Sequence, residues 1–384
     1  MEKSGRLASL DALRGFDMMF IMGMAAIITA VCGLFPDGDA CWLAQQMHHV
    51  KWDGFHHHDT IFPLFLFIAG VSFPFSYAKQ VSSGASRSSI YLKIFRRAVL
   101  LVLLGMVYNG LLRLDFANQR FYSVLGRIGL AWMFAALLFI NLGPKPRAVV
   151  ASVLLVGYYL LIRFVPAPDM PGADPLSLPG NFGGYVDRLI LKNHLLYDGV
   201  FDPEGLLGVI PATVTAMLGM FTGEFVRHGG NGAGADAAGT GDCASCRISG
   251  ERKTVYMFAA AAVLTAAGLL WSLDFPINKA LWSSSFVLVV GGFSLASFAL
   301  FYYIIDVRGW RKWAFPFQVI GMNSLTIYLG QKIIPFRAIR DFFLKGAADL
   351  CPPEWGTLVL EIGYFAVCWL FLYFLYRKNT FLKV

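Results

Sequence analysis

The sequence predicts an all-α, polytopic integral membrane protein, and three observations lead there. Of 384 residues, 57% are hydrophobic and 15% are charged, against roughly 25% charged in a soluble domain; mean hydropathy is +0.59. Apolar runs of roughly 20 residues, the length that spans a bilayer, recur along the whole chain. Lys and Arg gather between those runs with the alternation that the positive-inside rule requires. The net charge of +8 therefore reads as membrane orientation, and nucleic-acid binding is set aside.

The first run, near 9–34, follows a basic start and could pass for a signal peptide. Asp11, Arg14 and Asp17 interrupt it, and it outlasts the roughly 7–15 apolar residues of a signal core, so it reads as a retained helix. Further runs lie near 59–79, 92–112, 122–142, 148–166, 205–227, 254–274, 282–305, 313–334 and 357–376, giving about ten transmembrane helices. Lys3, Arg6, Lys79, Arg87, Arg96, Arg97, Lys145, Arg147, Arg308, Arg311, Lys312, Arg377 and Lys378 fall on one side, which places both termini in the cytoplasm.

Two connections are long. Residues 167–204 form an outer loop rich in Pro and Gly, and residues 228–252 read as a flexible cytoplasmic linker. The linker divides one transmembrane domain, 1–384, into helices 1–6 (about 9–227) and helices 7–10 (about 254–376). Internal repeats, the mark of many secondary transporters, are not visible. Cys243 and Cys246 form a single CxxC in the linker, with no second pair or His beside it to complete a zinc site.

The densest chemistry is in residues 48–77, HHVKWDGFHHHDTIFPLFLFIAGVSFPFSY. His48, His49, His56, His57 and His58 stand there with Asp53 and Asp59, at the outer edge of the second run. Imidazole titrates near neutrality, so a histidine held by a carboxylate can take and return a proton within one cycle. Any one of the five could equally be a solvated loop residue. Asp59 is also a good N-cap for the helix that follows, and one carboxylate has lone pairs for both tasks. A metal site is the competing reading of the cluster, but consecutive histidines diverge and no HExxH spacing occurs; no metal is expected.

Asp11, Arg14 and Asp17 recur every three residues, on one side of helix 1. Ionisable groups at that depth face the bundle interior or a cavity, or pair with one another to help helices pack. Arg120 and Arg127 flank the start of helix 4 and need anionic or carbonyl partners. Asp202 and Glu204 precede helix 6, Asn278, Lys279 and Trp282 precede helix 8, and Asn323 and Ser324 lie inside helix 9. Carboxylates, an amide, a lysine and an aromatic face beside a His/Asp pair suit a sugar. Asp202 and Glu204 could also be helix-start residues favoured by the dipole.

At these residues the chain resembles the heparan-α-glucosaminide N-acetyltransferase family. The resemblance is carried by ordered blocks over almost the whole chain: LDALRGF, HVKWDGFHHHDTIFPLFLFIAGVSFPFS, VLGRIG, GGYVDRLILKNHLLY, FDPEGLLGVI, PINKALWSSSFVL, GMNSLTIYLG and YRKNTFLKV. It implies a transmembrane acetyltransferase that moves acetyl from cytoplasmic acetyl-coenzyme A to the amine of a glucosamine-type sugar on the outer side. The family's active histidine stands before a W-[DN]-G with two residues between, which here is His49, followed by Trp52, Asp53 and Gly54. The family's aspartate ahead of helix 2 falls on Asp59. His56, His57 and His58 replace residues that are not histidine in the animal enzyme and receive no catalytic role.

On that reading His49 is a general base or an acetyl-accepting nucleophile, oriented by Asp59. Arg14, Arg127, Asn323 and Ser324 are the expected contacts of the donor; Trp52, Asp202, Glu204, Asn278, Lys279 and Trp282 are those of the acceptor. The expected partners are an amino sugar or glucosamine-ended saccharide, acetyl-coenzyme A and the lipid bilayer, and a homodimer is an allowed assembly. The family's asparagine toward the outer end of helix 1 has no counterpart in FIMGMAAIITAV, so the acceptor is the least specified part. The animal enzyme's preceding lumenal domain has no counterpart either, and a bacterial inner membrane with the histidine on the periplasmic side is expected. Two other functions use the same residues: a permease for amino sugars or other saccharides, and a metal-dependent enzyme built on the histidine cluster.

Overall fold

A computed structural model describes residues 7–197, 199–227 and 248–382. Residues 228–247, most of the expected linker with Cys243 and Cys246, lie outside the described residues. Among the described residues the chain is helical without named strands; isolated bridges join Pro166 to Asn181 and Tyr197 to Phe201. The protein is an all-α polytopic membrane protein.

Eight helices among the described residues are long and apolar enough to cross a bilayer. They are α1 (Ala8–Cys32), α2 (His57–Ser82), α4 (Val124–Asn141), α5 (Pro144–Phe164), α7 (Val209–Arg227), α8 (Gly250–Trp271), α9 (Ser284–Val307) and α13 (Pro353–Arg377). Between them lie α3 (Arg87–Tyr108), α6 (Phe182–Leu191), α10 (Phe315–Met322), α11 (Ser324–Ile333) and α12 (Phe336–Asp349). Exposed Leu92, Val99, Val153, Leu160, Val263, Leu370 and Phe374 give the bundle an apolar outer surface, as lipid contact demands.

Two of the ten expected runs take another form. The run 92–112 becomes α3, a 22-residue helix that carries Arg87, Lys93, Arg96 and Arg97. Its buried residues Ile90, Ile94, Ala98, Leu101 and Gly105 recur at helical spacing and face α4, so a single stripe holds it to the bundle. The run 313–334 breaks at Asn323, whose φ of −125° and ψ of 26° end α10 before α11 begins. Helix α1 is also interrupted, by a π turn over Phe20–Met24 with Gly23 at φ 143°. Such interruptions within membrane helices occur where backbone faces protein or a cavity.

Helix α2, which begins at the histidine cluster, packs most closely on α7. A Cβ on Gly219 would lie 2.1 Å from the Phe67 carbonyl oxygen, and one on Gly223 2.3 Å from that of Val71. Glycines four apart thus let the two backbones meet, the usual route to tight helix contact in lipid. Helix α1 meets α10 in the same way, where a Cβ on Gly15 would lie 1.7 Å from the Phe317 carbonyl oxygen.

Candidate active site

The loop before α2 is organised by Asp59. Its Oδ2 accepts the backbone N–H of His56 at 3.1 Å and that of Val50 at 3.4 Å, and the Asp59 N–H returns to the His56 carbonyl at 3.0 Å. One carboxylate oxygen therefore caps the helix start while the other is free to work. That second oxygen, Oδ1, lies 2.8 Å from His49 Nδ1. Asp59 is 2% exposed at its side chain and His49 53%, so a hidden carboxylate orients an accessible imidazole. In the tautomer whose Nδ1–H donates to Asp59, the Nε2 lone pair is available.

Lys279 completes the cluster from a distant stretch of chain. Its Nζ lies 2.9 Å from His49 Nδ1, 3.3 Å from His49 Nε2 and 3.4 Å from Asp59 Oδ1. Burial draws the Lys279 ammonium below its ordinary value, while the Asp59 charge pulls it back. The His58 ring packs at 4.5 Å between centroids on His49. His57 packs against Phe20 instead, and the His56 Nδ1 meets the His48 carbonyl at 2.9 Å. Among the described residues, no group of three or more His, Cys, Asp or Glu is placed to hold a metal ion.

Asn278 and Trp282 hold Lys279 in place. Asn278 is fully buried; its Nδ2 donates to Asp53 Oδ1 at 3.0 Å and its Oδ1 accepts from Leu281 N at 2.8 Å. The Gly54 N–H donates to the Ile277 carbonyl at 2.9 Å, so the two loops are stitched side by side. Trp282 has φ 56°, a left-handed conformation that costs a bulky residue on the order of 1–3 kcal/mol. Its indole packs edge-on against Phe62 and Phe286 and donates to Thr215 Oγ1 at 3.3 Å. Trp282 is 0% exposed, so the aromatic face expected to meet a sugar is a core anchor that fixes the Lys279 turn. Half-buried Trp52 donates to the Leu176 carbonyl at 2.9 Å and ties down the loop 167–204.

Asp202 and Glu204 share Arg120. The guanidinium meets Asp202 at 2.8 and 2.6 Å and also pairs with Glu204. Burial opposes the charge of Arg120, yet the two carboxylates more than offset it and hold its pKa well above the ordinary value. Asp202 is 1% exposed and is spent on structure, including the Leu196 and Glu204 backbone N–H groups. Glu204 is half-buried. Beside them burial pushes the Asp187 carboxyl up to about 6, although it accepts the Leu206 N–H at 3.0 Å. Arg127 is 3% exposed, and its Nη2 donates to the Gly205 carbonyl at 2.9 Å.

The residues expected to meet the donor are spread along the bundle. Arg14 pairs with Asp11 at 3.4 Å and lies within electrostatic reach of Arg97, which covers the Trp132 ring at 4.2 Å. Arg97 Nε, Asp17 Oδ2 and Asn323 Nδ2 are buried without a hydrogen-bond partner. Asn323 sits at the α10–α11 break, where its Oδ1 accepts from Thr326 at 3.2 Å, and Ser324 begins α11. The sequence drew attention to Arg97 only as an orienting charge at the inner end of the run 92–112. Its position three residues after Ile94 and four before Leu101, both buried in α3, was the available signal.

The catalytic-domain family described as heparan-alpha-glucosaminide N-acetyltransferase, catalytic, matches residues 6–240. Human heparan-alpha-glucosaminide N-acetyltransferase is 28% identical over 99% of this chain and 60% of its own length. The mouse protein of the same name is 28% identical over 88% of this chain and 56% of its own length. The chain thus spans less than two thirds of the relatives it matches. It belongs to the heparan-alpha-glucosaminide N-acetyltransferase catalytic family.

Proposed function

We propose that this member of the family is a transmembrane N-acetyltransferase, moving acetyl from cytoplasmic acetyl-coenzyme A to the amine of a glucosamine-type sugar at the His49 end. The observation that carries the reading is the trio of half-exposed His49, buried Asp59 and Lys279 at 2.8–3.4 Å. A sugar ammonium must lose a proton before its nitrogen can attack a thioester. His49 Nε2 takes that proton, and Asp59 at Nδ1 holds the tautomer and steadies the imidazolium. The amine nitrogen bonds to the thioester carbonyl carbon, and the negative charge that gathers on oxygen is favoured by the neighbouring Lys279 cation. The C–S bond then breaks, and the departing sulfur takes the proton from His49. The amide nitrogen sheds its second proton to water as the adduct collapses, so the products are an N-acetyl sugar, free coenzyme A and one released proton.

A covalent variant uses the same atoms: His49 Nε2 bonds the acetyl carbon first, coenzyme A leaves, and the amine displaces the imidazole. For the donor, Arg14 and Arg97 at the opposite half of the bundle suit phosphate groups. Arg14 is paired with Asp11, whereas Arg97, within its electrostatic reach, keeps a buried N–H without a partner, which is costly in a membrane interior and which a phosphate oxygen would satisfy. Asn323 and Ser324 at the helix break offer hydrogen bonds along the path toward His49. We place the His49 end in the periplasm of a bacterial inner membrane, following the charge alternation of the loops.

The test is mass spectrometry of glucosamine, glucosamine-ended oligosaccharides and galactosamine incubated with purified protein and acetyl-coenzyme A. A gain of one acetyl group with wild type, lost with His49→Ala, is expected. Equal gain with His49→Ala removes His49 from the chemistry, and no gain on any acceptor overturns the amino-sugar reading.

A further inference from the structure

A cavity of about 370 Å³ adjoins the site, walled by α3, the start of α4, the end of α6 and the start of α7. Its sides are apolar: Val102, Met106, Leu130, Ile190 and Leu206. Val102 lies six residues before the end of α3, and Leu130 six residues after the start of α4. At 1.5 Å per residue the chamber descends only ~9 Å, which keeps it within the leaflet at the His49 end. Ile190 and Leu206 at its rim are 55% and 42% exposed, and Leu103 beside them on α3 is 46% exposed. The mouth therefore meets hydrocarbon or the interface rather than bulk water.

The polar end of the chamber is built. Arg127 lines it and is 3% exposed, yet its Nε and Nη1 have no hydrogen-bond partner. The guanidinium is fixed in place: a Cβ on Gly208 would lie 2.4 Å from its Nη2, and Trp282 lies 5.3 Å from it as a cation–π partner. Buried donors without acceptors are costly, and ligand oxygens arriving through the chamber would satisfy them. Glu204 also lines the space, and both Glu204 and Arg127 act electrostatically on Lys279, which touches His49. A group held at Arg127 is thus within electrostatic reach of Lys279 and, through it, of His49.

We propose that the acceptor is a lipid-linked amino sugar: its hydrocarbon chain fills this chamber, the oxygens joining chain to sugar bind Arg127 Nε and Nη1, and the amine is delivered to His49. The inference rests on the transferase reading and narrows its acceptor class. A soluble monosaccharide would leave the apolar walls and the Arg127 donors unused.

The experiment uses full-length protein in phosphatidylcholine vesicles with methyl, butyl and octyl β-glucosaminides. Acetylation efficiency is expected to rise about tenfold or more from methyl to octyl, since each buried methylene contributes. Met106→Trp, which fills the chamber, should collapse the octyl value to the methyl value, and Val102→Phe should do the same if the first variant folds poorly. A chain-length preference identical in wild type and both folded variants reflects bilayer partitioning and overturns the proposal, as does a flat series in wild type. In either case acetylation of methyl glucosaminide leaves the transferase standing. Should no glucosaminide be acetylated, the transferase reading fails on its own, and native mass spectrometry from lipid nanodiscs still decides the chamber. Octyl glucosaminide retained by wild type and lost in Met106→Trp supports it, whereas equal retention overturns it.

Discussion

The His49–Asp59–Lys279 trio and the polar groups deeper in the bundle differ in how completely they are paired. At the His49 end, Asp59 spends one oxygen on two backbone N–H groups and the other on His49 and Lys279. Deeper in the bundle, Asp17, Asn323 and Arg97 each keep a buried polar atom with no partner. Native interiors rarely tolerate such atoms. Groups that satisfy one another are held by the fold and can act on a substrate without rearranging. Groups left unsatisfied mark a place that something else completes. On the proposed function, the His49 trio is the positioned machinery and the second region the binding path.

That contrast is broken most sharply at Asp59. Asp59→Asn keeps an acceptor for the helix cap, so the cost in stability should stay near about 1 kcal/mol. The amide cannot hold the His49 tautomer or balance an imidazolium, and kcat should fall by about 10²–10⁴-fold. Thermal unfolding and single-turnover acetylation, measured on the same preparation, separate the two roles. A large loss of stability with an unchanged rate would make Asp59 a cap alone.

The second region predicts a different pattern. Arg97→Gln and Asn323→Ala each remove a group with spare hydrogen-bonding capacity, so neither should unfold the bundle. Each should raise KM for acetyl-coenzyme A, by about tenfold for Arg97 if one charge-assisted contact of about 1.5 kcal/mol is lost. kcat should change little. If KM stays fixed while stability drops, the unpartnered atoms belong to packing and not to a ligand path.

The sequence made these regions unequally legible. That a histidine would pair with Asp59 could be anticipated, because the cluster lies just before a carboxylate that begins a helix; the choice of His49 among the five came from the family resemblance and not from spacing. Lys279 sits 230 positions from His49, and nothing in its neighbourhood PINKALWS says which loop it will face. Trp282 was read as a sugar platform because an aromatic before a helix is ambiguous; only packing reveals that it is a buried pin with φ 56°. Asp202 was read as a sugar contact, and its burial against Arg120 depended on a contact across 82 residues. Hydropathy located apolar runs correctly but could not see the break at Asn323, since one amide in an apolar run barely changes the average. Arg96 and Arg97 were counted only toward orientation, at the inner end of the run 92–112, because hydropathy does not say which charges of a helix turn toward the bundle.

Asp187 sharpens the comparison from within the His49 end, because it is hydrogen-bonded yet poorly compensated. Its partners include the Leu206 N–H and Tyr122 and, among the described residues, no cation in direct contact, so burial pushes the carboxyl up to about 6. The folded value lies above the unfolded value of about 3.9. The folded state therefore holds the proton more tightly, and the stability this provides is fully present below pH ~4 and lost as pH rises through ~6. Asp187→Asn removes the titration while keeping an acceptor for Leu206. The variant should come closest to wild type below pH ~4 and exceed it in melting temperature at pH 7, by a margin that corresponds to at most about 3 kcal/mol. A constant difference across that range would mean that Asp187 stays ionised when folded, and that Arg127 compensates it more closely than the geometry indicates. In that case the unpartnered N–H groups of Arg127 would also be weaker bait for a ligand. The pH series on Asp187 thus tests, by a stability measurement alone, the electrostatic premise on which the chamber beside it depends.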